Sequence, residues 1–216
     1  MEKIIHQLWI GEYIIPEKDY NYTKNIKTDN PTFEYNFWNN YNLPILPNKI
    51  EQLKQLYSKN KKWVELADML RYYLVYEYGG LYVDCDYESI KPFEGLGLDR
   101  YEGFVPLVFT DGDITICNSM FGFKKGHPLI EYVCDKMYNN CTLMWLGPNF
   151  FGEQIKKFLG LDKYAKDEIV KEKLEKINIK VIDRNIERAK YAIHHYSYTW
   201  SEENKQKMKI DTNFIK

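Results

Sequence analysis

Apolar positions along the chain switch between helix-like and strand-like spacing, and the clearest case lies near its centre. From Trp63 to Tyr78 apolar residues recur at three- and four-residue steps, which predicts a helix with one face packed on a core. Gly79 and Gly80 predict its end, because glycine can adopt the left-handed conformation that closes a helix. The residues that follow, Leu81–Val83, predict a short strand that points inward.

The same patterns predict further elements on both sides of this unit. Strands are predicted at Lys3–Gly11, Thr32–Trp38, Glu102–Phe109 and Ile114–Phe123, with a last one beginning at Tyr191. Helices are predicted at Glu17–Lys27, Asn48–Ser58, Pro128–Tyr138, Pro148–Leu159 and Asp167–Ile177. Strands that alternate with helices indicate an α/β fold. Since no repeat or linker interrupts the pattern, we expect one domain over residues 1–216.

Two carboxylates, Asp84 and Asp86, follow the predicted central strand. In an extended chain residues i and i+2 lie on one side, so both acids should face one point while Cys85 faces away. Carboxylates aimed together repel unless one is protonated or a cation lies between them, and hard oxygen ligands suit Mg²⁺ or Mn²⁺. An isolated Asp-x-Asp pair is more often an ordinary loop, but the preceding helix, glycines and strand favour a metal site.

This stretch resembles the donor-binding core of the glycosyltransferases that contain a DXD motif, and family 32 among them, which includes capsular-polysaccharide enzymes. The matching residues are Ala67–Arg71 and Tyr78–Asp86, and segments near both ends, Ile5–Gly11 and Tyr191–Trp200, match as well. The group is distantly related to the clostridial glucosylating toxins. The resemblance implies the GT-A fold, in which a Rossmann-like nucleotide-binding half merges with an acceptor-binding half.

The resemblance also implies roles in donor binding. Trp9, at the end of the opening strand, would stack on the base of the donor, although a tryptophan here could equally be a core residue. Asp68 would bind hydroxyls of the donor sugar, and Arg71 would contact the sugar or diphosphate with its planar guanidinium. The alternative for these two residues, three apart on one helix face, is a surface ion pair worth less than about 1 kcal/mol.

Metal and sugar contacts are implied at the acid pair and near the chain's end. Asp84 and Asp86 would bind the cation, and Asp84 would also take part in donor binding and catalysis. Adjacent histidines on a strand point to opposite sides, so only one of His194 and His195 can face the cation. The His-then-aromatic pattern of related transferases favours His194 as the third metal ligand. Trp200 would close over the sugar. Without this context, the histidine pair would more often be structural.

Asn118 is a further candidate catalytic residue, which would position the reacting sugar. The alternative is that it forms a turn at the end of a strand.

The composition of the chain limits the classes of binding partner and the compartment that we expect. The formal net charge of −1 argues against a general binder of nucleic acids or anionic membranes, which would need excess lysine and arginine. The four cysteines show no metal-type spacing, so free thiols in a reducing compartment are expected. The sequence shows no signal peptide and no apolar stretch long enough to cross a bilayer. We therefore expect a cytoplasmic protein of bacterial or viral type without a transmembrane segment.

The implied reaction is transfer of a hexose or N-acetylhexosamine from a UDP- or GDP-sugar to a hydroxyl of a glycan, glycolipid or protein, with retention of configuration and with Mn²⁺ or Mg²⁺ as cofactor. No carboxylate nucleophile for a double displacement is identifiable, which favours front-face attack.

Two other classes remain open. One is a phosphatase of the haloacid dehalogenase type, although the position where that class places Thr or Val holds Glu88. The other is a nucleotide-sugar-binding protein without catalysis, although Asp68, Arg71, Asp84 and Asp86 are all present.

Overall fold

Strands and helices alternate through the parts of the chain that the computed structural model describes, which are residues 1–110, 113–138, 145–183, 190–199 and 201–209. The strands are β1 (Ile4–Trp9), β2 (Glu34–Asn39), β3 (Gly80–Val83), β4 (Tyr87–Ser89), β5 (Gly103–Thr110), β6 (Asp113–Ile116), β7 (Met120–Phe123), β8 (Ile179–Asp183) and β9 (Ala192–His194). The helices are α1 (Glu17–Asp29), α2 (Asn48–Lys59), α3 (Trp63–Tyr78), α4 (Pro128–Tyr138), α5 (Pro148–Phe158), α6 (Asp167–Lys176) and α7 (Glu202–Lys205). The predicted α/β class is confirmed.

A seven-stranded sheet forms the centre of the fold, in the order β2-β1-β3-β7-β5-β6 with β8 beside β5. β1 runs parallel to both β2 and β3, whereas β7 is antiparallel to β3 and β5. The carboxyl ends of β1, β2 and β3 therefore meet at one edge of the sheet. Open α/β sheets bind ligands at such an edge, and the acid pair follows β3 there.

Three parts of the sheet structure differ from the predicted elements. The single strand predicted at Ile114–Phe123 is two strands, β6 and β7, which pair with different stretches of β5, β6 at Leu107–Thr110 and β7 at Gly103–Phe104. β8 was not predicted. β4 and β9 form a separate two-stranded antiparallel sheet in which Tyr87 lies opposite His194. Strands of three residues carry too little alternation to be recognised, so only the folded structure reveals this pairing.

The sheet is covered on both faces. On one face α3 packs with α2 and α4, and its residues are buried around most of the helix rather than on the single predicted face. On the other face Ile26 of α1 joins a cluster with Leu81 and Val83, while Tyr82 between them turns towards the α3 side. β3 is thus a central strand buried on both sides, and it fixes the start of the acid turn.

The connection between α3 and β3 requires glycine, as the sequence predicts. Gly79 and Gly80 have φ angles of 70° and 91°, which side-chain-bearing residues rarely adopt. A Cβ on Gly80 would also lie 2.5 Å from the carbonyl oxygen of Ile4 on β1. The second glycine therefore allows β3 to approach its neighbouring strand as well as to leave the helix.

The described cysteines are buried free thiols, namely Cys85, Cys117 and Cys134, while Cys141 lies outside the described residues. Among the helices that the structure describes, none combines the length and apolar character that crossing a bilayer requires.

Gly80→Ala should lower the free energy of unfolding by about 3 kcal/mol or more, because strain at positive φ adds to a backbone clash. Gly126→Ala is the matched control: its φ is 66°, but a Cβ there would meet no atom within 4 Å. That variant should lose only about 1 kcal/mol. Urea denaturation of both variants measures the difference, and equal losses would show that the close approach to β1 contributes nothing.

Candidate active site

Asp84 and Asp86 lie on a turn that leaves β3. The Tyr87 amide donates to the Asp84 carbonyl at 3.4 Å, so the acids converge through a turn and not through the extended chain that the sequence analysis assumed. Cys85 faces away, as predicted, with its thiol 3.4 Å from the Leu8 carbonyl. The Gln7 side chain donates to the Asp84 carbonyl at 3.1 Å. The turn is therefore fixed to β1 through its backbone.

β9 brings His194 to the acid turn. Its Nε2 lies 3.1 Å from Oδ1 of Asp86, and one ligand atom from each of Asp84, Asp86 and His194 lies within 4.8 Å of the others. The imidazole lies between two tyrosine rings, Tyr87 at 4.4 Å and Tyr196 at 4.1 Å between centroids. These stacking contacts fix the plane of the ring and hence the direction of Nε2.

His195 takes a different environment. Its Nε2 lies 2.8 Å from Glu88, and its ring stacks on Tyr22 of α1 at 4.5 Å. The strand register therefore places His194, rather than its neighbour, beside the acids.

The three side chains of this cluster fit a divalent cation. Neighbouring ligands of an octahedral ion with metal–oxygen distances of about 2.1 Å lie about 3 Å apart, close to the 3.1 Å between His194 and Asp86. Burial alone would raise the pKa of Asp86, but hydrogen bonds from His194 and from the Ser197 amide outweigh burial and bring that pKa below its usual value. Asp86 is thus held as the carboxylate that a cation requires.

A buried charge network lies next to this cluster. Nη1 of Arg71 donates to the Asn118 carbonyl at 2.9 Å and lies 3.2 Å from Oδ1 of Asp84, while Nη2 lies 3.3 Å from Oδ1 of Asp68. The guanidinium also lies over the Tyr82 ring, at 4.7 Å. Asp68 is 4% exposed and Arg71 7%, so the interpretation of these residues as a surface ion pair is wrong.

Burial and charge act in opposite directions on the acids around Arg71. Burial raises the pKa of Asp68 to about 6 against the opposing effect of Arg71. Burial likewise raises the pKa of Asp84, Arg71 opposes it, and the charge of Asp86 adds to it. A cation between Asp84 and Asp86 would remove their repulsion and favour the ionised forms.

The remaining predicted site residues are Asn118, Trp9 and Trp200, of which the structure describes the first two. Asn118 is 3% exposed and donates from Nδ2 to Asp68 at 2.8 Å and to the Tyr72 hydroxyl at 2.9 Å, so it orients Asp68. Trp9 ends β1, half-buried, with its indole N–H donated to the Tyr13 carbonyl at 2.8 Å. Trp200 lies outside the described residues, and its role stays a prediction.

Two residues of the site were missed by the sequence analysis. The Tyr82 hydroxyl donates to Oδ1 of Asp84 at 2.7 Å, and the Ser197 amide donates to Oδ2 of Asp86 at 2.9 Å. A tyrosine two positions before an acid on a buried strand could have indicated the first contact. The second depends on a backbone amide far along the chain, for which the sequence carries no signal.

The fold and the acid turn define the class of protein. The PaToxG glycosyltransferase matches with a TM-score of 0.58 at 17% identity, covering 82% of this chain and 85% of that one. The UDP-bound glycosyltransferase domain of the YGT toxin matches with a TM-score of 0.52 at 11% identity, covering 94% and 81%. The predicted GT-A fold is confirmed, which argues against the haloacid dehalogenase alternative.

Sequence comparisons find similarity to one family of glycosyltransferases. Residues 16–102 match the family described as "glycosyltransferase sugar-binding region containing DXD motif". An uncharacterized glycosyltransferase of Acanthamoeba polyphaga mimivirus is 32% identical over 62% of this chain and 55% of its own length. Inositol phosphoceramide mannosyltransferase 3 of Schizosaccharomyces pombe is 31% identical over 61% of this chain and 35% of its own.

Residues 16–102 thus resemble the DXD-containing glycosyltransferases, and the predicted resemblance is confirmed at that level. This region contains Asp68, Arg71, Asp84 and Asp86, whereas His194 lies beyond it. The chain spans only about a third to just over half the length of the relatives it matches.

Replacing Arg71 by methionine should lower the free energy of unfolding by about 3 to 5 kcal/mol, because two buried carboxylates lose their shared cation. Lys124→Met, which breaks an exposed ion pair with Glu102, should cost less than about 1 kcal/mol. Chemical denaturation at pH 7 compares the two variants. Similar small losses would mean that the Arg71 network does not hold this region together.

Proposed function

We propose that the protein is a metal-dependent retaining glycosyltransferase that moves a hexose or N-acetylhexosamine from a nucleotide-diphosphate sugar to an acceptor hydroxyl. The observation that carries the proposal is the convergence of Asp84, Asp86 and His194 at the carboxyl edge of the parallel strands. That cluster includes the DXD motif of the matched family region.

Asp84, Asp86 and His194 would hold the cation, and we propose Mn²⁺ before Mg²⁺ because one ligand is an imidazole. When bound, the ion stabilises the charge that develops on the leaving diphosphate. Each acid would offer mainly one oxygen. Oδ1 of Asp84 already receives the Tyr82 hydroxyl, and Oδ2 of Asp86 receives the Ser197 amide. The other two oxygens would face the ligand: Oδ2 of Asp84, which has only a long 3.5 Å contact with Nη1 of Arg71, and Oδ1 of Asp86, which lies beside Nε2 of His194.

The donor would lie along the edge formed by β1 and the acid turn. Trp9 would stack on the base, Asp68 would accept hydrogen bonds from sugar hydroxyls, and Trp200 would cover the sugar. Arg71 would act on the donor mainly through Asp68 and Asp84, which it contacts directly. Asn118 would keep Asp68 oriented, since it donates to the same oxygen that faces Arg71.

Retention would follow from front-face attack by the acceptor hydroxyl. A double displacement needs a carboxylate poised as nucleophile. Asp68 is poorly suited, because one of its oxygens is engaged by both Asn118 and Arg71, and such contacts lower its nucleophilicity. This bonding suits recognition of hydroxyl groups better than attack on carbon.

Donor and acceptor remain open within this class. The fission-yeast relative is named a mannosyltransferase that acts on inositol phosphoceramide, and the YGT toxin domain was solved with UDP. We therefore propose a UDP- or GDP-hexose as donor, and a glycan, glycolipid or protein hydroxyl as acceptor. The buried free thiols support a reducing, cytoplasmic setting.

His194→Ala should weaken Mn²⁺ binding by at least about tenfold, because one of three protein ligands is lost. His195→Ala is the adjacent control: its contacts are with Glu88 and Tyr22, so it should lower the melting temperature and leave Mn²⁺ affinity within about twofold. Calorimetric titration with Mn²⁺ measures both. Equal effects on affinity would place the cation elsewhere.

Asp86→Ala should abolish donor hydrolysis and transfer in the presence of Mn²⁺, because it removes one of the proposed cation ligands. The variant should stay folded, since Asp86 lies on a turn outside both hydrophobic clusters. The assay screens UDP- and GDP-sugars for release of nucleotide, with and without EDTA. Glu94→Ala, at an exposed carboxylate paired with Lys3, serves as the control and should turn over normally.

Wild-type turnover that is unaffected by EDTA would contradict the metal-dependent mechanism. Selective thermal stabilisation by a nucleotide sugar without any turnover would favour the non-catalytic binding protein.

A further inference from the structure

One buried carboxylate on α1, Asp19, contacts the segment that holds the metal cluster but is not among the site residues described above. Asp19 is only 2% exposed, and its Oδ1 accepts a hydrogen bond from the Ser197 hydroxyl at 2.8 Å. Among the ion pairs that the described residues form at short range, none includes Asp19. Burying a carboxylate without a close cation is costly unless hydrogen bonds compensate, so the Ser197 contact is the main specific partner that the structure gives this acid.

Ser197 connects Asp19 to the second acid of the turn. While its hydroxyl donates to Asp19, its backbone amide donates to Oδ2 of Asp86 at 2.9 Å. The opposite oxygen of Asp86, Oδ1, is then the one that faces His194. The amide thus sets the rotation of the Asp86 carboxylate, and the hydroxyl sets where the amide lies.

Other contacts hold the same segment of chain. Asn204 donates from Nδ2 to the Ser197 carbonyl at 2.9 Å and to the Tyr198 carbonyl at 3.1 Å. Tyr196 and Tyr198, on either side of Ser197, have φ angles of 50° and 46°. Such backbone conformations persist only where surrounding contacts impose them.

We propose that Asp19 is a positioning residue of the metal site, which acts through Ser197 to aim the Asp86 carboxylate at the cation shared with His194. This inference rests on the proposed metal-dependent function and extends it to a helix that offers no ligand of its own. Asp19 does not contact the cation cluster; its effect passes through one hydroxyl and one amide of the same serine.

Stabilisation of helix α1 alone does not account for the burial of Asp19 or for its hydrogen bond with Ser197. An acid in the first turn stabilises a helix through the helix dipole, but Glu17 occupies the same turn and is exposed. The dipole requires neither burial nor a bond to a segment far along the chain. Burial raises the pKa of Asp19, the Ser197 hydroxyl opposes this shift, and the charge of Asp86 adds to it. The fold therefore keeps a third acid close to Asp84 and Asp86, where a bound cation would also favour the ionised form of Asp19.

The test compares variants by their affinity for Mn²⁺ alone, measured by titration calorimetry on the full chain. Asp19→Ala and Ser197→Ala should each weaken binding by about tenfold, the lower end of what loss of an outer-shell partner causes. The double variant should be no weaker than either single variant, because both interrupt one path. Asp19→Asn, whose amide oxygen can still accept the Ser197 hydrogen bond, should recover affinity to within about threefold of wild type.

Ile26→Val is the control for loss of stability on α1, since Ile26 is fully buried in the apolar cluster with Leu81 and Val83. It should lower the melting temperature and leave Mn²⁺ affinity unchanged. An Asp19→Ala variant that behaves like this control would overturn the proposal, and so would effects that multiply in the double variant. If Asp19→Ala does not fold, the Ser197→Ala variant provides the test. A wild-type affinity for Mn²⁺ in that variant would refute the proposed path from Asp19 through Ser197 to Asp86. Absence of Mn²⁺ binding by the wild type would instead refute the proposed function.

Discussion

The site depends first on one buried cation, the guanidinium of Arg71. It joins the long helix α3 to the acid turn and to the segment before β7, through Asp68, Asp84 and the Asn118 carbonyl. Carboxylates this deeply buried would otherwise become protonated or move apart. Because the guanidinium is planar and offers several donors in fixed directions, it also sets the distances between these groups. The position of the first acid is thus set from the helix as well as by the contacts of Asp84 with Gln7 and Tyr82.

The second acid is held in another way, and the difference divides the site into two halves. Asp86 receives its contacts from His194 and Ser197, which belong to the C-terminal part of the chain. The half around Arg71 is enclosed and carries its own positive charge. The half around Asp86 gathers negative charge, with the buried Asp19 behind it. A divalent cation would bridge the two halves and supply the charge that the second one lacks.

Local signals in the sequence were enough to predict α3, its glycine end, the strand that follows and the acid pair, because each depends on residues close together in the chain. Strand alternation predicted only that one of the two adjacent histidines could face the acids, and the resemblance to related transferases favoured His194. Burial of Arg71 could not be predicted, since an acid and an arginine three apart on a helix give the same sequence pattern on an exposed face and on a buried one. The β4–β9 pairing, β8 and the Ser197 contacts depend on segments that meet only in the folded chain, and very short strands carry little pattern of their own.

The antiparallel pairing of β4 with β9 has a consequence for how the protein is made. Ser197 follows Asp86 by 111 positions, so at about 5–20 residues per second the ribosome needs roughly 6–22 s to add the residues between them. During that interval the groups around Arg71 are already synthesised, whereas the groups that aim Asp86 are not. A nascent chain can therefore complete its internal charge balance before it is able to retain a cation. Under the proposed function, metal uptake would be a late step of biogenesis, and a chain interrupted before β9 would carry the acid turn without its histidine.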